Sequence, residues 1–373
     1  MQKRTPAPVV DPLSKYPDAV AAAQAASTEP VTMSATKLTV GIPTFNRAEL
    51  LTQAIESVLA QSFTDFRLIV SDNASEDNTP DCVRSFGDER IDYVRSERNV
   101  GAIANINRLI TLADTEFLVL LPDDDVLYPG HLAAAVELLE RHENVGLAHS
   151  ACDLIDGRSR AIRRVNIRRV NRLLSRSPVK IERHDLALEQ LMTSTWGLCF
   201  SSVVYRTKAI VEAGGLRAEE EPFGDRELWM RIALNWDFGY IAEPLVGFRV
   251  HAETVTTNVA AQHGVTSDGR GRGLLYSQLH FERRMDFLDE ARLESGRTKR
   301  LQAIATLQFL IDSANSGLGF NEVAGRLAKL AQTYPQILLR PALWRLAIAQ
   351  LGGRRVRSAL RGASIRHRRL QHD

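Results

Sequence analysis

The sequence lacks long apolar runs, and no stretch approaches the roughly 20 apolar residues that a membrane-spanning helix needs. The N-terminal residues also lack the apolar core of a secretory signal, so none is predicted. The three cysteines, Cys82, Cys152 and Cys199, are too few and too widely spaced for a disulfide framework or a zinc motif. Such cysteine usage is typical of a reducing cytosol, and we therefore expect a cytoplasmic protein.

A strong charge bias is missing as well. Lys and Arg number 47 against 45 Asp and Glu, a net charge of +2, which argues against a nucleic-acid partner. The basic residues are nonetheless unevenly placed, because residues 157–184 contain ten Arg or Lys against one Glu. Two interpretations of this segment stay open: a solvated insertion, or a patch that faces substrate phosphates or an anionic surface.

The chain of 373 residues is long enough for one large domain with appendages. Residues 1–36, rich in Ala, Pro, Ser and Thr, are predicted to form a flexible tail. A main domain is predicted over 37–260, with the basic segment as an insertion, and a helical region over 270–373. The arginine-rich end, 354–373, is hypothesised to lie on anionic lipid, which would make the protein peripheral at the inner membrane face.

Short apolar runs alternate with amphipathic patterns in the first part of the main domain. The predicted strands cover 38–43, 66–72, 91–97, 117–122 and 145–156, and the predicted helices cover 48–61, a stretch ending at 86, 99–113 and 131–142. Because each strand is apolar throughout, the pattern predicts an α/β domain with a mostly parallel sheet covered by helices on both faces. Ligands of such sheets bind beyond the carboxyl ends of the strands.

Three adjacent carboxylates, Asp123, Asp124 and Asp125, follow the apolar run 117–121, from which only Pro122 separates them. Like charges in a row repel one another, so folding gains nothing from them unless something positive binds. Their position at the end of a buried strand favours a metal or phosphate site. A solvated turn that caps the next helix is the alternative.

Five polar groups follow one another at domain-scale spacing: PTFN (43–46), SDNASED (71–77), PDDD (122–125), FGDRELWMR (223–231) and GFRVHAETVT (247–256). Their order resembles glycosyltransferase family 2, whose GT-A fold carries PTYNR, DNASTD, an N-x-G helix, a D-x-D metal motif, ED-x-D-L-x-L-R and YR-x-H-x-x-S-x-T. The resemblance covers about 38–258. It departs from the family at Pro122, in place of the first metal-motif acid, and at Gly224, in place of a Glu.

The resemblance implies a nucleotide-sugar co-substrate. Asp72 matches the aspartate that accepts a hydrogen bond from N3–H of a uracil-type base, which cytosine lacks, so UDP- or dTDP-sugars are expected. The other residues that the resemblance assigns to the nucleotide sugar are Pro43, Thr44, Asn46, Asn73 and Asn107.

The resemblance also implies a divalent cation, Mn²⁺ or Mg²⁺, at the aspartate triplet, since these ions prefer hard oxygen ligands and substrate phosphates. Asp124 matches the second acid of the metal motif and is the expected direct ligand. Asp123 or Asp125 would assist it, and His251 would complete the metal shell. Arg249 is expected to pair with a phosphate.

Catalysis is implied for Asp225, which matches the general base of inverting members, with Glu227 as the fallback base. For both residues, an acid that favours the first turn of a helix is the competing interpretation.

These assignments predict an inverting, metal-dependent glycosyltransferase that acts on a saccharide, a lipid-linked saccharide or a protein, in surface polysaccharide or glycoconjugate synthesis. A sugar nucleotidyltransferase of the same fold is one alternative, although PTFNRAELL lacks the glycines expected of its phosphate loop. A non-catalytic carbohydrate or nucleotide-sugar binder with a degenerate site is another, favoured by the departures at Pro122 and Gly224.

Overall fold

The computed structural model describes residues 36–162, 179–193, 198–218, 224–250 and 274–315, together with 325, 328 and 332. Two compact units divide the chain. The first comprises residues 1–188 and 195–251, and the second comprises 189–194 and 252–373.

Along the first unit, strands and helices mostly alternate. The strands are β1 (Leu38–Thr44), β2 (Phe66–Asp72), β3 (Ile91–Arg95), β4 (Phe117–Leu120), β5 (Val126–Leu127), β6 (Val145–Ile155), β7 (Val179–Glu182), β8 (Val203–Arg206) and β9 (Asp237–Arg249). The helices are α1 (Ala48–Leu59), α2 (Thr79–Ser85), α3 (Ala102–Leu112), α4 (His131–Arg141), α5 (His184–Leu191), α6 (Thr207–Glu212), α7 (Gly224–Ile232), α8 (Leu274–Glu290) and α9 (Ser295–Asn315).

The strands form one sheet in the order β3-β2-β1-β4-β8-β6-β9-β5, and β7 pairs with β9 outside this path. β3, β2, β1 and β4 run parallel, which confirms the predicted parallel arrangement for this half. β8 then runs antiparallel between β4 and β6. The sheet is therefore mixed in its second half, where β9 is parallel to β6 and antiparallel to β5 and β7.

The core explains why the first strands are continuously apolar. Leu38, Val40 and Ile42 of β1 are fully buried. The residues between them, which face the opposite side of the sheet, are covered as well. α1 covers one face with Leu51, Ala54, Ile55 and Val58, at the spacing of a single helical stripe.

The register of the parallel strands determines where their polar ends lie. Thr44, the last residue of β1, is paired with Asp72, the last residue of β2. β4 ends beside β1, since Gly41 is paired with Leu120, and the acidic turn follows directly. The carboxyl ends of three neighbouring strands thus meet at one edge of the sheet.

Several predicted boundaries differ from the structure or lie outside the described residues. β3 and β4 end at Arg95 and Leu120, two residues before their predicted ends at 97 and 122. Residues 200–202 form a short 3₁₀ turn, and β8 covers 203–206. The predicted tail and the arginine-rich end lie outside the described residues, as do 163–178 of the basic segment.

The second unit contributes α8 and α9, which agree with the helical pattern predicted there. Phe281 and Phe309 stack with ring centroids 5.0 Å apart. None of the described helices combines the length and apolarity needed to cross a membrane.

Candidate active site

The acidic turn is fixed to the end of β1 by a buried hydrogen bond. The Thr44 hydroxyl donates to Asp123 Oδ2 at 2.8 Å, and both residues are buried. The turn therefore faces the same edge of the sheet as the loops that follow β1 and β2. Thr44 and Asp123 thus lie together at this edge.

Arg47 bridges two of the aspartates. Its Nη1 donates to Asp123 Oδ1 at 3.1 Å and to Asp124 Oδ2 at 3.2 Å. Arg47 lies three residues after the end of β1 and immediately precedes α1, so the motif that ends β1 also supplies a cation to the acidic turn. The resemblance assigned no role to this arginine.

The third aspartate points to the opposite side of the turn. Asp125 accepts hydrogen bonds from the Ser201 hydroxyl and, at 2.7 Å, from the backbone N–H of Arg249. Burial and then the adjacent charge of Asp124 raise the pKa of Asp125 to about 7. Burial likewise raises the pKa of Asp123 to about 6, although Arg47 and Thr44 oppose this shift. Both values identify carboxylates that are costly to keep charged without a cation.

The donor set at this turn fits a divalent ion of the magnesium type. Among the described residues, no three carboxylate, imidazole or thiol side chains converge on one point. Asp123 and Asp124, however, present oxygens to one shared positive nitrogen, and Asp124 keeps 13% of its side chain exposed. Mg²⁺ and Mn²⁺ commonly bind through one or two carboxylates and complete their shell with waters and substrate phosphates. Asp123 and Asp124 would hold such an ion, while Asp125 is engaged elsewhere.

Asp72 is fully buried and is surrounded by donors from the protein itself. Its Oδ1 accepts from Ser75 N at 2.9 Å and Ser75 Oγ at 2.6 Å. Its Oδ2 accepts from the Tyr93 hydroxyl at 2.5 Å and lies 3.3 Å from Arg95 Nε. Asp72 thus accepts three hydrogen bonds from Ser75 and Tyr93, and in this arrangement it shapes the loop after β2.

The asparagines at this edge connect the loops. Asn46, with a φ of 54°, accepts from Glu76 N through its side chain at 2.7 Å, while its own N–H donates to Ser75 Oγ at 2.9 Å. Asn73 donates to Asn99 Oδ1 at 2.9 Å. Pro43 lies in β1 just before Thr44 and is half-buried. These residues lie at the predicted edge, and their side-chain amides order the loops around it.

Arg249 has a different environment from the one predicted. Its side chain is 1% exposed. The guanidinium donates to Asp124 O at 2.6 Å, Asp156 O at 3.0 Å, Ser159 Oγ at 3.1 Å and Gln53 Oε1 at 3.1 Å. One donor of Arg249 thus holds the Asp124 carbonyl of the acidic turn and the others bind three acceptors elsewhere, so the pairing of Arg249 with a phosphate stays a prediction.

The side chain of Asn107 is engaged by the backbone of Leu216. Its side-chain amide donates to Leu216 O at 2.8 Å, and its oxygen accepts from Leu216 N at 2.9 Å. A Cβ on Gly215, where φ is 65°, would lie 2.7 Å from that oxygen. The predicted contact with the nucleotide sugar is corrected to a buried clamp between α3 and the segment after α6.

Asp225 lies in the first turn of α7 and is half-buried. It accepts from Arg226 N at 2.6 Å, and burial raises its pKa. Burial, and to a smaller extent the charge of Asp225, raises the pKa of the Tyr205 hydroxyl, which accepts from Trp229 Nε1 at 3.0 Å. Tyr205 belongs to β8, whose preceding turn supplies Ser201 to Asp125. One short strand thus contacts both the acidic turn and the surroundings of Asp225.

Glu227 cannot serve as the fallback base in this arrangement. Its two oxygens accept from Arg231 Nε at 2.7 Å and Nη2 at 2.6 Å, and Arg217 lies 3.4 Å away. Arg231 in turn donates to the backbone oxygens of Ala213 and Gly215. The carboxylate is buried and neutralised by its partners, so it fixes α7 to the preceding segment. His251 lies outside the described residues.

Sequence reasoning missed the residues that hold the site together from a distance. Ser201 and Tyr93 lie outside the quoted motifs, and Ser75 lies within SDNASED without any sign there that it binds Asp72. Arg47 was visible as the last residue of PTFNR, and its place next to the end of β1 was the signal that could have identified it.

Residues 39–210 match the family described as "Glycosyl transferase family 2". A GalNAc(5)-diNAcBac-PP-undecaprenol beta-1,3-glucosyltransferase of Campylobacter jejuni is 40% identical over 116 residues, which are 30% of this chain and 36% of that protein. The putative colanic acid biosynthesis glycosyl transferase WcaA of Escherichia coli K12 is 34% identical over 98 residues, 26% of this chain and 35% of that protein. The alignments thus span about a third of the length of these relatives.

Among solved structures, S. aureus TarS 1–349 in complex with UDP-GlcNAc superposes with a TM-score of 0.56 at 15% identity, covering 81% of this chain and 82% of that chain. TarS 1–349 in complex with UDP gives a TM-score of 0.54 at 15% identity, over 81% and 82% of the two chains. At these identities the likeness concerns the fold. The likeness supports the GT-A fold, and the match over residues 39–210 makes this part of the chain similar to glycosyltransferase family 2.

Proposed function

We propose that the protein transfers a sugar from a nucleotide-diphosphate sugar to a hydroxyl acceptor with inversion at the anomeric carbon. The observation that carries this proposal is the hydrogen bond from Thr44 to Asp123. It brings a pair of acidic side chains to the shared carboxyl end of parallel strands, which is where such sheets bind their ligands.

On the donor side, Asp123 and Asp124 would hold Mg²⁺ or Mn²⁺ against the diphosphate. When bound, the ion neutralises the charge that builds on the departing nucleoside diphosphate. Thr44 and Arg47 keep the two carboxylates oriented toward one point. Asp125, with Ser201 and the Arg249 N–H, holds the far side of the turn in place.

On the acceptor side, Asp225 is the proposed general base. It would accept the proton of the acceptor hydroxyl as that oxygen forms a bond to the anomeric carbon and the bond to the diphosphate oxygen breaks. Burial raises its pKa, which makes the carboxylate a better proton acceptor than an exposed aspartate. The engagement of Glu227 by Arg231 leaves Asp225 as the candidate in the first turn of α7.

A uridine nucleotide remains the proposed donor, with dTDP-sugars as the second choice. The TarS structures contain UDP and UDP-GlcNAc, and the related C. jejuni protein is a glucosyltransferase whose acceptor is linked to undecaprenol through PP. These names make UDP-hexoses and lipid-linked saccharides the first compounds to test. Base recognition by Asp72 would compete with the hydrogen bonds from Ser75 and Tyr93, which occupy three of the roughly four acceptor positions of this carboxylate.

The test is nucleotide release from a panel of nucleotide sugars, with and without Mn²⁺, for the wild type and for Asp225→Asn and Asp124→Asn. Asp225→Asn should lower kcat about 10²- to 10⁴-fold, the usual contribution of a general base, and leave nucleotide affinity unchanged. Asp124→Asn should weaken the binding of nucleotide in the presence of Mn²⁺. Asp81→Asn is the matched control, since Asp81 is exposed and paired with Arg84 on α2.

Full turnover in Asp225→Asn would refute the base assignment. Affinity for nucleotide sugars without release of nucleotide, with each candidate acceptor class present, would favour the non-catalytic binder. Release of pyrophosphate from a nucleoside triphosphate and a sugar phosphate would favour the nucleotidyltransferase.

A further inference from the structure

The relation between Arg47 and the two aspartates differs from an ordinary ion pair. A guanidinium usually meets a carboxylate as a fork, with two nitrogens on two oxygens of one group. Here a single nitrogen, Nη1, lies 3.1 Å from an oxygen of Asp123 and 3.2 Å from an oxygen of Asp124. One positive centre between oxygens of two neighbouring carboxylates is the arrangement that a hard divalent cation would otherwise provide.

The backbone around Arg47 is held firmly, whereas its side chain can move. The Asn46 N–H is bound to Ser75 Oγ, the Ala48 N–H to Asp77 Oδ2, and the Arg47 carbonyl accepts from Leu51 N. The Arg47 side chain is nevertheless 27% exposed, and it has several rotatable bonds. Rotation about those bonds would carry the guanidinium away from the carboxylates while the backbone of the loop stays in place.

The neighbouring arginine shows what a fixed guanidinium looks like at this turn. Arg249 is 1% exposed and is held by Asp124 O, Asp156 O and two side chains. Arg249 binds the backbone of the turn, and Arg47 binds its carboxylates at the solvent side. The two arginines thus differ in both exposure and target.

We propose that Arg47 occupies the cation position between Asp123 and Asp124 in the nucleotide-free protein and moves to the diphosphate when the metal–nucleotide complex binds. This inference rests on the proposed function and deepens it. Without a diphosphate to receive Arg47, a metal ion must compete with the guanidinium, so metal alone binds weakly. With a diphosphate, the guanidinium gains a new partner, and metal and nucleotide bind cooperatively.

The test measures Mn²⁺ binding, by the loss of the free-ion electron paramagnetic resonance signal, with and without UDP. It compares wild type, Arg47→Gln, Arg47→Ala and the control Arg90→Gln. Arg90 is a suitable control because it pairs with Asp88 and is 29% exposed, close to the value for Arg47. Circular dichroism melting verifies that each variant is folded.

In the absence of UDP, Arg47→Gln and Arg47→Ala should bind Mn²⁺ at least about fivefold more tightly than the wild type, within the usual range of coupling between sites. UDP should raise the Mn²⁺ affinity of the wild type by a larger factor than that of either variant. Mn²⁺ should also raise the melting temperature of the Arg47 variants more than that of the wild type. Arg90→Gln should match the wild type throughout.

Equal or weaker Mn²⁺ binding by the Arg47 variants without UDP would overturn the inference. If the wild type nevertheless releases nucleotide in a metal-dependent manner, the proposed function survives alone. Turnover that persists in EDTA and is lost in Arg47→Gln would show that Arg47 serves permanently in place of a metal, which overturns the displacement. Absence of Mn²⁺ binding in every protein, with UDP present, would overturn the inference and the metal part of the proposed function.

Discussion

Replacing Arg249 by Met tests whether this arginine stabilises the fold or contacts a phosphate. The structure predicts a large loss of stability. The guanidinium is 1% exposed and donates to four acceptors in three separate segments of the chain. Methionine fills much of the same volume but donates nothing, so buried acceptors lose their partners.

The magnitude follows from those four hydrogen bonds. Each hydrogen bond from a charged group contributes roughly 1.5–3 kcal/mol, and the contributions do not add fully because some acceptors regain water. Removing one partner of a buried charged cluster costs about 3–5 kcal/mol. At about 2–4 °C per kcal/mol for a domain of this size, the melting temperature should fall by roughly 6–20 °C.

Thermal and urea unfolding of Arg249→Met measure this effect, and nucleotide affinity is determined on the same samples. Arg141→Met is the matched control, because its pair with Glu137 is highly exposed and is expected to contribute at most about 0.5 kcal/mol. If Arg249 contacted a phosphate instead, the variant would lose nucleotide affinity and keep its stability. A melting temperature within about 2 °C of the wild type would refute the structural role.

Two further predictions concern buried polar groups. Asn107→Ala should lower the free energy of unfolding in urea by about 2–3 kcal/mol, because the buried N–H and carbonyl of Leu216 lose their partners; an unchanged urea midpoint would contradict the clamp. Burial lowers the pKa of His149 to about 3, so the unfolded chain binds a proton that the folded chain does not, and stability falls as pH falls from about 6.5 toward 3. His149→Phe keeps a ring against Tyr240. The free energy of unfolding of this variant should depend less steeply on pH than that of the wild type, by up to about 1.4 kcal/mol per pH unit. Parallel pH profiles of stability for the two proteins would contradict this prediction.

The sequence predicted the first half of the sheet well because the signal there is local. A strand buried on both faces must be apolar throughout, and β1, β2 and β4 each show that pattern. The direction of β8 has no such signature, since a short strand reads the same way whether its neighbour is parallel or antiparallel. The reversal between β4 and β6 therefore appeared only in the structure.

The contacts of the candidate side chains show the same limit, because a local motif does not reveal partners that are distant in the sequence. Motif spacing placed Asp123, Asp124 and Thr44 at one edge of the sheet, which the register of the strands explains. It could not show that Arg249 and Asn107 donate hydrogen bonds to backbone oxygens 90 or more residues away. Partners of that kind are ordinary carbonyls and N–H groups, which carry no residue identity and leave no trace in a motif.

The aspartate triplet itself illustrates why a run of acids is not a run of ligands. Successive side chains in a turn diverge, so three adjacent carboxylates cannot all point at one ion. Asp123 points to Thr44 and Arg47, while Asp125 points to Ser201 and the N–H of Arg249. The outer two aspartates thus fix the turn from opposite sides and leave Asp124 the most exposed of the three. Since Arg47 joins Asp123 to Asp124, the geometry favours Asp123 over Asp125 as the carboxylate that assists Asp124.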